Sequence, residues 1–270
     1  MPNTFLNLKQ KIKHVIACNG YALKRRELLF YYLERNRAPS INQKTQGKYI
    51  ELIGPTGVGK TTLLRSLKRE TRESWFSFEE IEQRESAQAD KLTPFQNHSS
   101  LLSKALSSIL EQKMSDFCKA KSLNWYSKII LVDLLASDPS LPKGVMLDEG
   151  LCHNFSGQLL SLPDKEFVEI MRTRALVYVS AKDEMTVVRQ VRKRTSDGGH
   201  TIPFHNGLDD KALCEMTRSF MRNYVEPLVA RAQKHGIMVC TLFIEDGLQA
   251  NAERMEEFVH VVASSSALKD

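Results

Sequence analysis

Short apolar runs alternate along this chain with longer stretches of helical period. "KYIELIG", residues 48 to 54, is apolar almost throughout and stops at a glycine, the pattern of a buried strand. A helix is expected from about Lys60 to Glu70, and "WFSFEEIEQ" offers a second short strand. From Asn97 to about Lys121, Leu102, Leu106, Ile109, Leu110 and Phe117 recur at helical spacing. "SKIILVDLLAS" suits either strand or helix. "KGVMLDEG" is a buried strand bounded by Pro142 and Gly150, "RALVYVSA" is another, and "GIMVCTLFIEDG" is a third, set off by a helix stop at His235-Gly236. Helices are expected over 182–195, over 209–235 with Pro227 as a kink or break, and over 248–263. Strands alternating with helices predict a parallel sheet covered on both faces.

Residues 1–46 form a basic N-terminal extension of helical character. In "YALKRRELLFYYLERNRA", Leu23, Leu29, Tyr32 and Leu33 are interleaved with Lys24, Arg25, Arg26, Glu34 and Arg35, an amphipathic pattern. Packing on the domain, meeting a protein partner and touching an anionic surface are the roles open to it. "APSINQKTQG" then reads as a loop. Residues 47–270 form the main domain.

The chain has 270 residues and a net charge of +6. A protein that handles polyanionic nucleotides carries such an excess of Lys and Arg near its site. Neither an RNA-binding motif nor an aromatic-rich basic repeat is present, so a nucleic-acid partner is not expected. No apolar run approaches the ~20 residues that span a bilayer. The first twenty residues spread their basic groups rather than placing them before an apolar block, which is not a secretory signal. Cys18, Cys118, Cys152, Cys214 and Cys240 are scattered and odd in number, as in a reducing compartment. The expected location is cytoplasmic.

Gly54-Pro55-Thr56-Gly57-Val58-Gly59-Lys60-Thr61 satisfies G-x-x-x-x-G-K-[ST], with Thr62 following. Its glycines let the loop adopt positive φ, so that successive N–H groups point inward. The helix that begins near Lys60 adds its positive end. Lys60 is expected to reach the β- and γ-phosphates of a nucleotide, and the Thr61 hydroxyl to bind Mg²⁺. A strand before and a helix after supply the context this motif requires.

Such a loop needs an acid on a neighbouring strand to hold the magnesium. Asp133 and Asp148 are the candidates. The sequence runs on past Asp133 as "LLAS" without a turn, which suits a helix whose carboxylate faces solvent. Asp148 is followed by Glu149-Gly150, a loop at the carboxyl end of a strand, where open α/β sheets bind ligands. Asp148 is therefore the expected metal residue. Glu149 either deprotonates an attacking hydroxyl or water or caps a tight turn.

In "SAKDEMTVVRQVRKRTSDGGHTIPFHNG", Val187, Val188 and Val191 share one helical face. Lys182, Arg189, Arg192 and Lys193 lie opposite, with Arg194 to one side. The helix starts at a strand end and is followed by a glycine-rich polar loop. Its arginines suit stabilisation of a transferring phosphoryl group, and residues 181–207 suit a lid that excludes water. His200 and His205 are placed to meet substrate; no further ligands cluster with them to make a metal site.

"GPTGVGKTT", "VMLDEG" and "RQVRKR" with its glycine-rich successor, in that order, resemble the P-loop nucleoside and nucleotide kinase-like superfamily over roughly residues 48–245. The resemblance implies an α/β, three-layer P-loop NTPase fold with a mainly parallel sheet, here with a helical insert over 71–140 and the N-terminal helical extension. It implies an ATP- and Mg²⁺-dependent phosphotransferase. Gly54, Thr56, Gly57, Val58, Gly59, Lys60, Thr61 and Thr62 would hold the phosphates, and Thr61 and Asp148 the Mg²⁺. Lys60, Glu149, Arg189, Arg192 and Arg194 would be catalytic. The acid-arginine pair of nucleoside kinases is missing, since Gly150 follows Glu149. That leaves the acceptor open among small hydroxyl- or phosphate-bearing molecules. An ABC-type ATPase needs its signature before the acid-bearing strand, whereas "FSGQLL" follows it, and no N-K-x-D guanine reader is present. A regulatory or motor ATPase that acts on a protein or nucleic-acid partner is the standing alternative, and a nucleotide-binding module without turnover is a third.

Overall fold

The computed structural model describes residues 49–81, 83, 96–111, 113, 115–137, 141–198, 205 and 207–265. The N-terminal extension and His200 lie outside the described residues. In chain order the elements are β1 (Tyr49–Ile53), α1 (Lys60–Ser66), α2 (Arg69–Glu73), β2 (Trp75–Phe76), α3 (Gln96–Glu111), α4 (Asp116–Ala136), β3 (Gly144–Leu147), α5 (Leu151–Asn154), α6 (Ser156–Leu160), α7 (Asp164–Met171), β4 (Arg174–Ser180), α8 (Glu184–Ser196), α9 (Asp210–Phe220), α10 (Glu226–Lys234), β5 (Val239–Phe243) and α11 (Leu248–Ser265).

The five strands form one sheet in the order β2-β3-β1-β4-β5, and every pairing is parallel. The strand before the glycine-rich loop is thus central, with Tyr49 opposite Val145 on one side and Arg174 on the other. β1, β3 and β4 are buried along their whole length, which explains why they read as continuous apolar runs rather than as alternation. Their two faces still differ. Ile50, Leu52, Met146, Ala175, Val177, Val179 and Leu242 belong to a core with Leu63 of α1, the three valines of α8, Leu213 of α9 and Met255 of α11. The opposite face carries Tyr49, Glu51 and Arg174 and meets α5 and α7: the His153 N–H donates to Glu51 and the Arg174 Nε to the Ile170 carbonyl. Helices on both faces make three layers.

The helix starts follow local chemistry. Asp183 caps α8 by accepting from the Met185 N–H, and Asp209 caps α9 by accepting from the Ala212 N–H. The expected stop at His235-Gly236 is present, with Gly236 at φ 74. The segment 209–235 is interrupted as expected near Pro227, but by a π-helical turn over Met221–Val225 just before it. The helix after the loop ends at Ser66 and restarts at Arg69, short of the expected single run to Glu70. The helix expected over 97–121 is two, and Phe117 lies on the second, 57 % exposed.

The chain divides into two compact units. The sheet and its covering helices belong to the one made of residues 43–82 and 136–270; within the other, residues 83–135 hold α3 and nearly all of α4. "SKIILVDLLAS" is helical, because 21 residues run from Asp116 to Ala136 without a breaker. Asp133 corrects the expectation of a solvent-facing carboxylate. It is fully buried, with Val132 and Leu134 beside it. A helix whose flanking residues are apolar on every side has no water-facing stripe to give it. None of the described helices is long and apolar enough to cross a membrane.

Candidate phosphate and metal site

The loop leaves β1 at Gly54 and enters α1 at Lys60. Gly54, Gly57 and Gly59 have φ of 148, 86 and 90, values that L side chains rarely adopt. Space also requires two of them. A Cβ on Gly54 would stand 2.0 Å from the Val179 carbonyl oxygen of β4, and one on Gly57 would stand 2.4 Å from Val191 Cγ2 of α8. The loop is therefore seated on the neighbouring strand and on the arginine helix. Gly59 precedes α1 without a side-chain cap, so the first amides of the helix are left for another acceptor. Lys60 is 4 % exposed and its Nζ donates to the Gly54 and Pro55 carbonyls, both at 3.1 Å. Burial holds its pKa below the usual lysine value, opposed by the charges of Glu149 and Asp148. The lysine spans the loop as a poised cation.

Asp148 follows β3 directly, next to the central strand. Its Oδ2 accepts from the Thr61 hydroxyl at 2.5 Å. A hydroxyl and a carboxylate in contact at the mouth of a phosphate loop are the hard oxygen donors that Mg²⁺ takes when phosphates complete its shell. The residues present thus fit the ion that this type of site implies. Glu149 is partly buried, and burial first of all lifts its pKa above the usual carboxylate value; the charge of Asp148 adds to this, while Lys60 and Arg194 oppose it. Its peptide carbonyl accepts from Asn154 Nδ2 at 2.9 Å, which ties the turn to α5.

Beneath this turn lies a group that reading for motifs passed over. Glu51 is fully buried in the middle of β1, and its Oε2 is 3.8 Å from Nη1 of Arg174, itself 4 % exposed, on β4. Arg174 stacks over the Tyr49 ring at 4.4 Å. Glu51 Oε1 accepts the His153 N–H at 2.9 Å. A Cβ on Gly150 would lie 2.8 Å from Glu51 Cδ and 3.0 Å from Tyr49 Oη. The glycine that breaks the acid-arginine pattern is thus required by a buried carboxylate under it. The available signal was a glutamate inside an otherwise apolar strand, since such a charge is buried only with a partner.

The arginines of α8 do not share one set of partners. Val187, Val188 and Val191 are buried, as their spacing predicts. Arg189 is exposed and pairs with Asp183 at 3.2 Å. Arg192 pairs with Asp210 at 2.8 Å and also donates to the Leu208 carbonyl. Arg194 is the one whose charge is felt at both Lys60 and Glu149. Lys182 precedes the helix and pairs with Asp246 at 2.7 Å. Burial, then the charges of Arg192 and Arg194, hold the His205 pKa below its usual value.

A complete phosphate loop between a central parallel strand and its helix, with an acid on the adjacent strand, decides the architecture. The fold is a three-layer α/β P-loop NTPase fold. No protein-family model matches the chain, and no curated protein does. Among solved structures, the chain is similar to a shikimate kinase from Bacteroides thetaiotaomicron, with 16 % identity over 78 % of this chain and 98 % of that one and a TM-score of 0.43. At that identity and score, no residue role passes from that enzyme to this chain.

Proposed function

We propose that this protein is an ATP- and Mg²⁺-dependent phosphotransferase for a small hydroxyl- or phosphate-bearing molecule, working in the cytoplasm. The observation that carries the reading is the contact of Thr61 with Asp148 beside a partly buried, proton-avid Glu149, with the charges of both carboxylates felt at Lys60. Gly54, Thr56, Gly57, Val58, Gly59, Lys60, Thr61 and Thr62 would hold the phosphates of ATP through the loop and the first amides of α1. Thr61 and Asp148 would hold Mg²⁺, which when bound neutralises charge between the phosphates.

The chain's own residues supply the rest. Lys60 exchanges its two carbonyl partners for phosphate oxygens. Arg194 adds positive charge where negative charge grows in the transition state, and Arg192, tied to Asp210 and the Leu208 carbonyl, orients the helix that carries it. Glu149 takes the proton of the attacking hydroxyl, because an acid with a raised pKa is the better base. Positioning and charge neutralisation account for the catalysis.

The test is ATP consumption with and without a panel of hydroxyl compounds. Turnover that requires an acceptor, with phosphate recovered on it, is expected. Steady release of inorganic phosphate that a protein or nucleic acid accelerates would overturn the reading in favour of a regulatory ATPase. Lys60→Ala is expected to lower turnover by about 100-fold or more; activity like the wild type in that variant would sink the assignment.

A further inference from the structure

His153 lies on α5, one helical turn past Glu149-Gly150, and nothing described so far uses its ring. Its backbone is held from below by the bond to Glu51. Beside it, Asn154 Nδ2 donates to both the Glu149 and Gly150 carbonyls, at 2.9 and 2.8 Å. One face of the imidazole meets the Phe220 ring edge-on, with centroids 5.7 Å apart. Nδ1 is shielded from solvent and has no protein hydrogen-bond partner, while the residue as a whole keeps partial exposure. Burial, and after it the Lys60 charge, hold the imidazole neutral.

A histidine that served only to fill this space would have its ring nitrogens satisfied, because an unmatched polar atom in an apolar setting costs stability. Phenylalanine or leucine would fill the slot against Phe220 without that cost. A neutral imidazole has one donor and one acceptor nitrogen. Being uncharged, it can hydrogen-bond an alcohol or water oxygen without competing with Lys60 for phosphate. The turn that carries it also carries the carboxylate proposed as base, and β1 positions both this turn and the phosphate loop.

We propose that His153 is a further catalytic residue that holds the attacking oxygen of the phosphate acceptor beside Glu149. This rests on the phosphotransferase reading and names the group that receives the acceptor. A lone pair of the held oxygen forms the new bond to the γ-phosphorus as the bond to the leaving ADP oxygen breaks. The acceptor's proton passes to Glu149, and ADP departs with the electron pair.

The experiment uses Mg²⁺, a fluorescent ADP analogue and aluminium fluoride, which together mimic a transferring phosphoryl group with an apical water as attacking oxygen. In the wild type, aluminium fluoride is expected to tighten ADP binding strongly. His153→Phe is expected to lose about 10-fold or more of that tightening, with ADP affinity in the absence of fluoride changed by less than about 2-fold. His153→Gln, which keeps a hydrogen-bonding group, is expected to recover part of it. In the intact protein the His153 ring nitrogens, followed by ¹⁵N NMR, should shift when aluminium fluoride is added to the ADP complex. A wild type that binds ADP but shows no tightening overturns the phosphotransferase reading and this proposal with it. Tightening in the wild type that His153→Phe retains, or a wild-type ring that does not shift, overturns the role of His153 alone. Loss of ADP binding itself in both variants also overturns it, as the residue would then be structural.

Discussion

Gly150→Ala puts a single methyl group where the buried carboxylate of β1 already stands. The φ there is −83, outside the left-handed region that favours glycine, so the penalty considered is the steric one at the added Cβ. The added Cβ would meet Glu51 Cδ at 2.8 Å, Glu51 Oε1 at 3.0 Å and Tyr49 Oη at 3.0 Å. None of these is the loose end of a surface side chain: Glu51 is 0 % and Tyr49 1 % exposed, and Glu51 is held by Arg174 and by the His153 N–H. Forcing a methyl group into such a site costs about 1–3 kcal/mol. The stiffer unfolded chain returns about 0.4–1 kcal/mol. At the midpoints of these ranges the expected net loss is about 1.3 kcal/mol, or roughly 3–5 °C in the melting temperature for a domain of this size. Urea denaturation measures it, with a lower midpoint at an unchanged slope. Tyr49→Phe, which removes one of the three contacts, should make the Gly150→Ala penalty smaller. A Gly150→Ala protein as stable as the wild type would refute the claim that Glu51 dictates the glycine.

The arginine helix and the partly buried His153 give two further tests. Arg194→Ala should lower turnover by about 100-fold, whereas Arg189→Ala, which removes an exposed pair, should change it by less than about 2-fold; equal losses would return both arginines to one role. His153 is neutral in the fold, with its pKa held well below 6.5, but protonates near 6.5 when unfolded. The unfolded state thus takes up a proton that the folded state refuses. The stability linked to this group is complete above about pH 6.5 and falls by up to about 1.4 kcal/mol per pH unit below it, until the folded pKa is reached. His153→Gln should lack that slope, so its stability relative to the wild type should rise between pH 7.5 and 5.5; parallel curves for the two proteins would refute it.

The phosphate loop, its flanking elements and the strand bearing Asp148 were legible because each follows from local chemistry. Glycines at positive φ, a lysine at a helix start and an acid at a strand end are all readable within a few residues. The different partners of Arg189, Arg192 and Arg194 were not. They include Asp183, Asp210 and the Leu208 carbonyl, and Asp210 lies eighteen positions from Arg192. Asp133 was misread for a similar reason. Helical period predicts which side of a helix is apolar, and this helix end has no other kind of side. Glu51 and Arg174 form a partnership across two strands 123 positions apart, and only the parallel pairing of β1 with β4 brings them together.

The root of α8 is braced by two neighbouring carboxylates. The Glu245 carboxylate, just after β5, accepts the Lys182 N–H with both oxygens at 3.0 Å and the Asp183 N–H at 3.3 Å. Asp246 beside it holds both Lys182 and Arg254. Further along, Gly57 of the loop bears on Val191. The helix is thus fixed at its root by Glu245, along its middle by the buried Val187, Val188 and Val191, and near its end by Arg192 on Asp210, so Arg194 projects from a braced rod.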